Sequence, residues 1–216
     1  MATPRRNLIS VSNTPYYHCI SRCVRRAYLC GQDPLTGRSY EHRRGWVEKK
    51  LLQLGRIFCI DICAYAVMSN HTHMVLHIDI AKAKRLNNKA ILIRWHKLFK
   101  STFLCQRFLN GELLTQAELS AVITRVNLYR ERLSSISWFM RVLNEGIARK
   151  ANQEDECKGR FWEGRFKSQA LLDEAALVAC LAYVDLNPVR AKAADLPEQS
   201  DYTSIKSRIN AAQNNK

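Results

Sequence analysis

The chain has 216 residues, 47% hydrophobic and 25% charged, the proportions of a globular protein and not of a disordered one. Its 34 Lys and Arg against 19 Asp and Glu leave a formal charge of +15, an excess that opposes compaction and calls for a polyanionic partner. Nucleic acid fits better than a membrane surface, because the basic residues are spread along the chain rather than gathered on one amphipathic helix, and the longest nearly apolar run, Ala175 to Leu186, is broken by Asp185 and too short to span a bilayer.

Residues 1–205 are expected to form a single domain, with residues 206–216 as a flexible tail. After a loose start, Tyr16 to Val24 reads as a strand, followed by a loop marked by Gly31, Asp33-Pro34 and Thr36-Gly37. Glu41 to Leu54 has helical spacing, with Trp46, Val47, Leu51 and Leu54 recurring every three or four residues. Ile57 to Val67, rich in Ile, Val, Cys and Tyr without Gly or Pro, suits a central strand. Ser69-Asn70 turns the chain, and His71 to Ile78 returns as its partner.

A basic helical insertion follows, at about residues 84–133. One stripe is predicted to carry Leu92, Trp95, Phe99 and Phe103. Thr115-x-x-Glu118 has the form of a capping box and opens a helix expected to bury Leu119, Val122, Ile123, Val126 and Leu133. A further helix from about Ser135 to Lys150 aligns Ile136, Phe139, Leu143 and Ile147. An extended stretch, Arg160 to Leu171, leads to a last helix that Asp173 caps and Pro188 stops after Asn187. Beyond Tyr202 the chain is polar and expected to be mobile. The order of elements describes an α+β sandwich with one antiparallel sheet.

Several groups of residues could carry chemistry. His71 and His73, two apart on a strand, project from one face and can share a divalent cation; an isolated His-x-His can equally be a hydrogen-bonded surface pair. On the last helix Tyr183 and Asn187 lie four apart on one side, and Tyr183 flanks the apolar face of Leu177, Cys180, Leu181 and Val184, although a lone helical Tyr is ordinarily structural. Arg160 to Lys167 mixes cations with aromatic rings, as single-stranded nucleic acid binding requires. If that stretch is a strand, Phe161, Glu163, Arg165 and Lys167 share one face, and Trp162, Gly164 and Phe166 the other; an aromatic core strand with a solvated basic face has the same pattern. Cys19, Cys23, Cys59 and Cys63 can be drawn as a zinc site, but their apolar, strand-like surroundings favour buried thiols, and the cytoplasm is the expected compartment.

Together these segments resemble the REP-associated tyrosine transposases, in the single-tyrosine branch of the HUH nucleases. The resemblance rests on Ala64 to Leu76 (AYAVMSNHTHMVL), Gly159 to Ser168 (GRFWEGRFKS) and Ala182 to Ala191 (AYVDLNPVRA), with a fainter likeness in Tyr17 to Arg22 (YHCISR). Thr72 stands where the family has a large apolar residue, and Cys23 where relatives often have Gly. The resemblance implies a ferredoxin-like antiparallel sheet backed by helices. It also implies Mg²⁺ or Mn²⁺ on His71, His73 and Asn187, with Tyr183 as nucleophile forming a 5′-phosphotyrosine link. Arg22, Arg160, Trp162, Arg165 and Lys167 are the candidate DNA contacts, and the implied partner is single-stranded DNA bearing a hairpin or palindrome. Monomer and homodimer both stay open. Competing readings are a non-catalytic DNA-binding regulator of the same fold, a replication initiator or relaxase, and a zinc hydrolase using the histidines and a thiolate.

Overall fold

A computed structural model describes residues 9–24 and 28–214. Strands β1 (Tyr16–Arg22), β2 (Ile60–Val67), β3 (His71–Ile78) and β4 (Lys167–Ala170) form one antiparallel sheet in the order β2-β3-β1-β4. Helix α1 (His42–Ile57) joins β1 to β2. Between β3 and β4 come α2 (Ile80–Arg85), α3 (Asn88–His96), α4 (Phe103–Asn110), α5 (Gln116–Leu133) and α6 (Ile136–Glu154), and after β4 come α7 (Glu174–Asp185), α8 (Asn187–Arg190) and α9 (Ser204–Asn214). With α2 to α5 set aside, strand–helix–strand–strand–helix–strand in this order is the ferredoxin-like arrangement expected. No helix among the described residues is long and apolar enough to cross a membrane.

Alternation along the strands divides the sheet into two unlike faces. Tyr17 and Cys19 of β1 and Met74, Leu76 and Ile78 of β3 are fully buried on one face, against Val47, Leu51 and Leu54 of α1 and Phe139, Met140 and Leu143 of α6. On the opposite face Ala64, Ala66 and Val75 pack under Val184 of α7, with Leu177, Cys180 and Leu181 beside it. Two alanines there let the helix approach the sheet closely. A bulge at Cys63 makes both faces of β2 apolar: Ile60 and Ile62 pair in phase with Ile78 and Leu76, and past the extra residue Ala64 and Ala66 face the other way. The bulge also separates the cysteines. Cys19, Cys23 and Cys59 lie in the α1–α6 core, whereas Cys63 packs on the α7 side.

Buried Arg43 ties α1 to the end of α6: its Nε bonds Glu154 Oε2 at 2.6 Å, its guanidinium also pairs with Asp155, and it stands 4.2 Å from the Tyr40 ring centroid. In α5, Thr115 and Glu118 form the capping box as anticipated.

Five expectations are corrected. Helix α1 runs on to Ile57, so β2 begins only at Ile60. The stripe from Leu92 to Phe103 breaks after α3, because Thr102 caps a new helix through the Cys105 amide; Leu92 and Trp95 are buried but Phe103 is 76% exposed. In α5 the buried face is Val122, Val126, Tyr129 and Leu133, which leaves Leu119 half-buried and Ile123 exposed. Pro188 does not stop the last long helix: α7 ends at Asp185, and Pro188 sits in the first turn of α8, where its missing N–H costs nothing. Finally, residues 204–214 are helical and not a flexible tail. Thr203 Oγ1 accepts from the Lys206 amide, Ser204 Oγ accepts from the Tyr65 amide and donates to Asp185, and Arg208 pairs with Asp185, fastening α9 to β2 and α7.

Candidate active site

The half of the α7-side face that α7 leaves uncovered carries the site. His71 and His73 alternate outward from β3 with Thr72 turned inward, where its hydroxyl is buried without a hydrogen-bond partner among the described residues. The polar Thr72 thus burdens the core side and leaves the imidazoles in place. β1 pairs with β3 so that Ile20 is opposite His73 and Arg22 opposite His71. This register brings a third imidazole into contact, that of His18.

The rings form a chain. His18 Nε2 lies 2.9 Å from His73 Nδ1, His73 Nε2 lies 3.0 Å from His71 Nε2, and His71 Nδ1 lies 2.6 Å from Asn70 Oδ1. An amide oxygen only accepts, so His71 carries its proton on Nδ1 and leaves Nε2 bare. Two tautomer states then satisfy the rest. In one, His18 donates to His73 and His73 donates from Nε2 to His71. In the other, His73 donates from Nδ1 to His18, and two bare Nε2 lone pairs face each other, a repulsive contact unless a cation lies between them. Two ligands at right angles on a metal with bonds of about 2.1 Å stand about 3.0 Å apart, so the spacing of these two nitrogens suits a shared divalent ion, while no group of three or more His, Cys, Asp or Glu among the described residues is gathered to hold one.

Burial lowers the pKa of all three histidines. For His73, burial and the neighbouring His71, His18 and Arg22 push it down to about 3; for His71, burial and Arg22 act together; for His18, burial suffices. Neutral imidazoles near pH 7 are the form that binds metal.

Tyr183, in the last turn of α7, stands over this chain. Its ring centroid is 5.5 Å from that of His73 and 6.1 Å from that of His18, both edge-on, and the ring is 38% exposed. The Arg190 guanidinium carbon lies 5.1 Å from the ring centroid. A cleft of about 480 Å³ gathers Tyr183, His71 and His73 with Arg22, Arg165 and Lys167. Gly164 also lines it, and a Cβ there would meet nothing within 4 Å, so the floor is open for a ligand.

Other candidates fall elsewhere. Asn187 is buried at the start of α8, just past Tyr183; it is not part of the cleft lining, and its amide makes no hydrogen bond among the described residues. Arg160 lines a separate cavity with Tyr28, Tyr40 and Lys158. Trp162 is turned into the core, 9% exposed, with its indole N–H donated to Asn144 O, so it offers no platform for a base. Phe161 is buried beside it, and the strict alternation expected over this stretch is therefore absent: the chain bends between Phe161 and Phe166, and only residues 167–170 form strand. His18, Asn70 and Arg190 were not singled out from sequence. His18 had a signal, since it shares a strand face with Arg22, but its contact with His73 depends on strand register.

No family model and no curated protein matches the chain. Among solved structures it is similar to one described as a REP-associated tyrosine transposase bound to a REP hairpin, with a TM-score of 0.52, 12% identity, and 97% of this chain and 86% of that one covered. At that identity the likeness concerns architecture: the chain shares the α+β fold of that transposase structure.

Proposed function

We propose that this chain is a tyrosine transposase that nicks and rejoins single-stranded DNA at hairpin or palindromic sequences, acting in the cytoplasm. The observation that carries the reading is the meeting, in one basic cleft, of a half-exposed phenol with two imidazole Nε2 atoms 3.0 Å apart. The fold shared with a hairpin-bound transposase agrees with it.

In this reading Arg22, Arg165 and Lys167 hold backbone phosphates in the cleft and set the strand's register. The Tyr183 hydroxyl attacks the scissile phosphorus, the bond to the 3′ oxygen breaks, the phenolic proton passes to water, and the leaving oxygen is protonated. The products are a 5′-phosphotyrosine and a free 3′-hydroxyl. One phosphoester replaces another, so a 3′-hydroxyl can reverse the step without ATP. A phenol is a weak nucleophile at neutral pH, and the Arg190 guanidinium, its carbon 5.1 Å from the ring centroid, places positive charge beside it. Mg²⁺ or Mn²⁺ on His71 Nε2 and His73 Nε2 would polarise the phosphate and stabilise its developing charge, and the third ligand that the resemblance implies is Asn187, buried just past Tyr183 and outside the cleft lining. Asn70 Oδ1 holds the His71 proton on Nδ1, and when His18 accepts from His73 Nδ1 both Nε2 atoms are bare.

The test is incubation of hairpin-bearing single-stranded DNA with the protein, with Mn²⁺ or with EDTA, followed by denaturing electrophoresis. Cation-dependent nicking with a protease-sensitive adduct is expected from the native protein, and neither from Tyr183→Phe, which still binds. Tight binding without nicking by the native protein would make the chain a DNA-binding regulator instead.

A further inference from the structure

The helical segment from Ile80 to Leu133 takes no part in the cleft, yet it holds 11 Lys and Arg against 3 Asp and Glu, +8 of the chain's +15 in a quarter of its length. Many of those charges have structural duties. Arg94 donates to the carbonyls of Arg56 and Ile57 at the end of α1, Arg130 to those of Ala83 and Leu86 at the end of α2, and Arg107 pairs with Glu112 and Glu118. Those pairs absorb two of the three acids in the segment.

Lys84, Arg85, Lys89, Lys97 and Lys100 are all exposed, and none forms an ion pair among the described residues. Lys89 and Lys97 stand on the same stripe of α3 with exposed Ile93 between them, at four-residue intervals. Eight residues of helix cover about 12 Å, along which one strand of a duplex presents three or four phosphates. The other two cations before α3 end α2, and Lys100 lies four residues past the last residue of α3. Like charges gathered in so short a segment repel one another at low salt.

Position sets it apart from the cleft. His71 opens β3, whereas α2 starts two residues beyond the other end of the same strand. Seven residues of strand separate the two ends by about 23 Å, the rise of roughly seven base pairs. α3 is held at that far end, because Arg94 bonds the carbonyls of Arg56 and Ile57 just ahead of β2, whose first residue Ile60 pairs with Ile78; DNA that engages both places extends beyond the cut.

We propose that the α2–α3 face is a second, sequence-independent DNA site that grips the phosphate backbone of a paired stem while the cleft handles the unpaired strand. The proposal rests on the transposase reading, and it assigns the insertion the task of selecting substrates that carry a stem.

The test uses the full chain in the Tyr183→Phe background, so that binding is read without cleavage. All five cations are changed to Gln, and melting is followed to confirm that folding is intact. Dissociation constants are measured across a salt series for a hairpin with a stem of about ten base pairs and for an oligonucleotide of the same length without a stem. The variant is expected to bind the hairpin about tenfold or more weakly, with a log–log salt slope shallower by about three to five, while stem-free binding changes less than twofold. An unchanged hairpin affinity, or an equal loss for both DNAs, overturns the proposal even if the parent protein binds and the native enzyme nicks. Failure of the parent protein to bind either DNA overturns the transposase reading together with it.

Discussion

The two faces of the sheet are built to different ends. One is packed against α1 and α6 and buries Tyr17, Cys19, Met74 and Leu76 almost completely. The other is covered only in part, by α7 over Ala64, Ala66 and Val75, and beside that cover three imidazoles of the sheet meet the Tyr183 phenol from the last turn of α7. Stability resides on the first face. On the second, polar rings hold one another in place at the edge of a cleft, an arrangement that a fully covered face would exclude.

The sharpest break in that comparison is chemical. Tyr183→Phe removes the proposed nucleophile, and no covalent DNA adduct is expected above background, while melting shifts little because the residue is partly exposed. On the opposite face Phe139→Ala empties a fully buried site that packs edge-on against Phe58, at a cost of about 3–5 kcal/mol in urea unfolding. Its nicking rate per folded molecule should be near native. If Phe139→Ala spared stability, or Tyr183→Phe unfolded the protein, the division of labour would be wrong.

His18→Ala tests the support of the site. It deprives His73 Nδ1 of its partner, and loss of such a partner costs about 10–100-fold in metal affinity. Calorimetric titration with Mn²⁺ reads this directly, and native affinity in the variant would show that His18 is a bystander.

A smaller effect appears with pH in EDTA. The folded pKa of His73 is depressed to about 3, so between the unfolded value near 6.5 and that point the unfolded chain takes up a proton that the folded one refuses. Stability is complete above about pH 6.5 and falls as the pH is lowered, with His73 alone contributing a loss of order 1–2 kcal/mol between pH 7 and pH 5. Urea unfolding of His73→Gln should lose correspondingly less over the same interval; an identical loss would assign the acid sensitivity elsewhere.

What the sequence reveals of this molecule is what local rules govern. The capping box at Thr115 and Glu118, the Asp173 cap of α7 and the common face of His71 and His73 follow from spacing and from the hydrogen bonds short polar side chains can make. Long-range pairings escape such rules. The register that sets His18 beside His73, the bulge at Cys63, the inward turn of Trp162 onto Asn144 and the docking of α9 through Asp185 each depend on a partner distant in the chain. The catalytic tyrosine candidate was legible because an unusual segment around it, Asn-Pro-Val-Arg, resembles a known family; the residues that orient the histidines were not, because a single His or Asn on a strand or turn is ordinary until its neighbour is known.

The central claim is that His71 and His73 turn two bare nitrogens toward a shared cation beneath Tyr183. Crystals grown with Mn²⁺ test it most directly through anomalous scattering. The account predicts one strong peak about 2.1–2.2 Å from both Nε2 atoms, inside the cleft that Tyr183 lines. A peak at another site, or none at these nitrogens under conditions that support nicking, would contradict it.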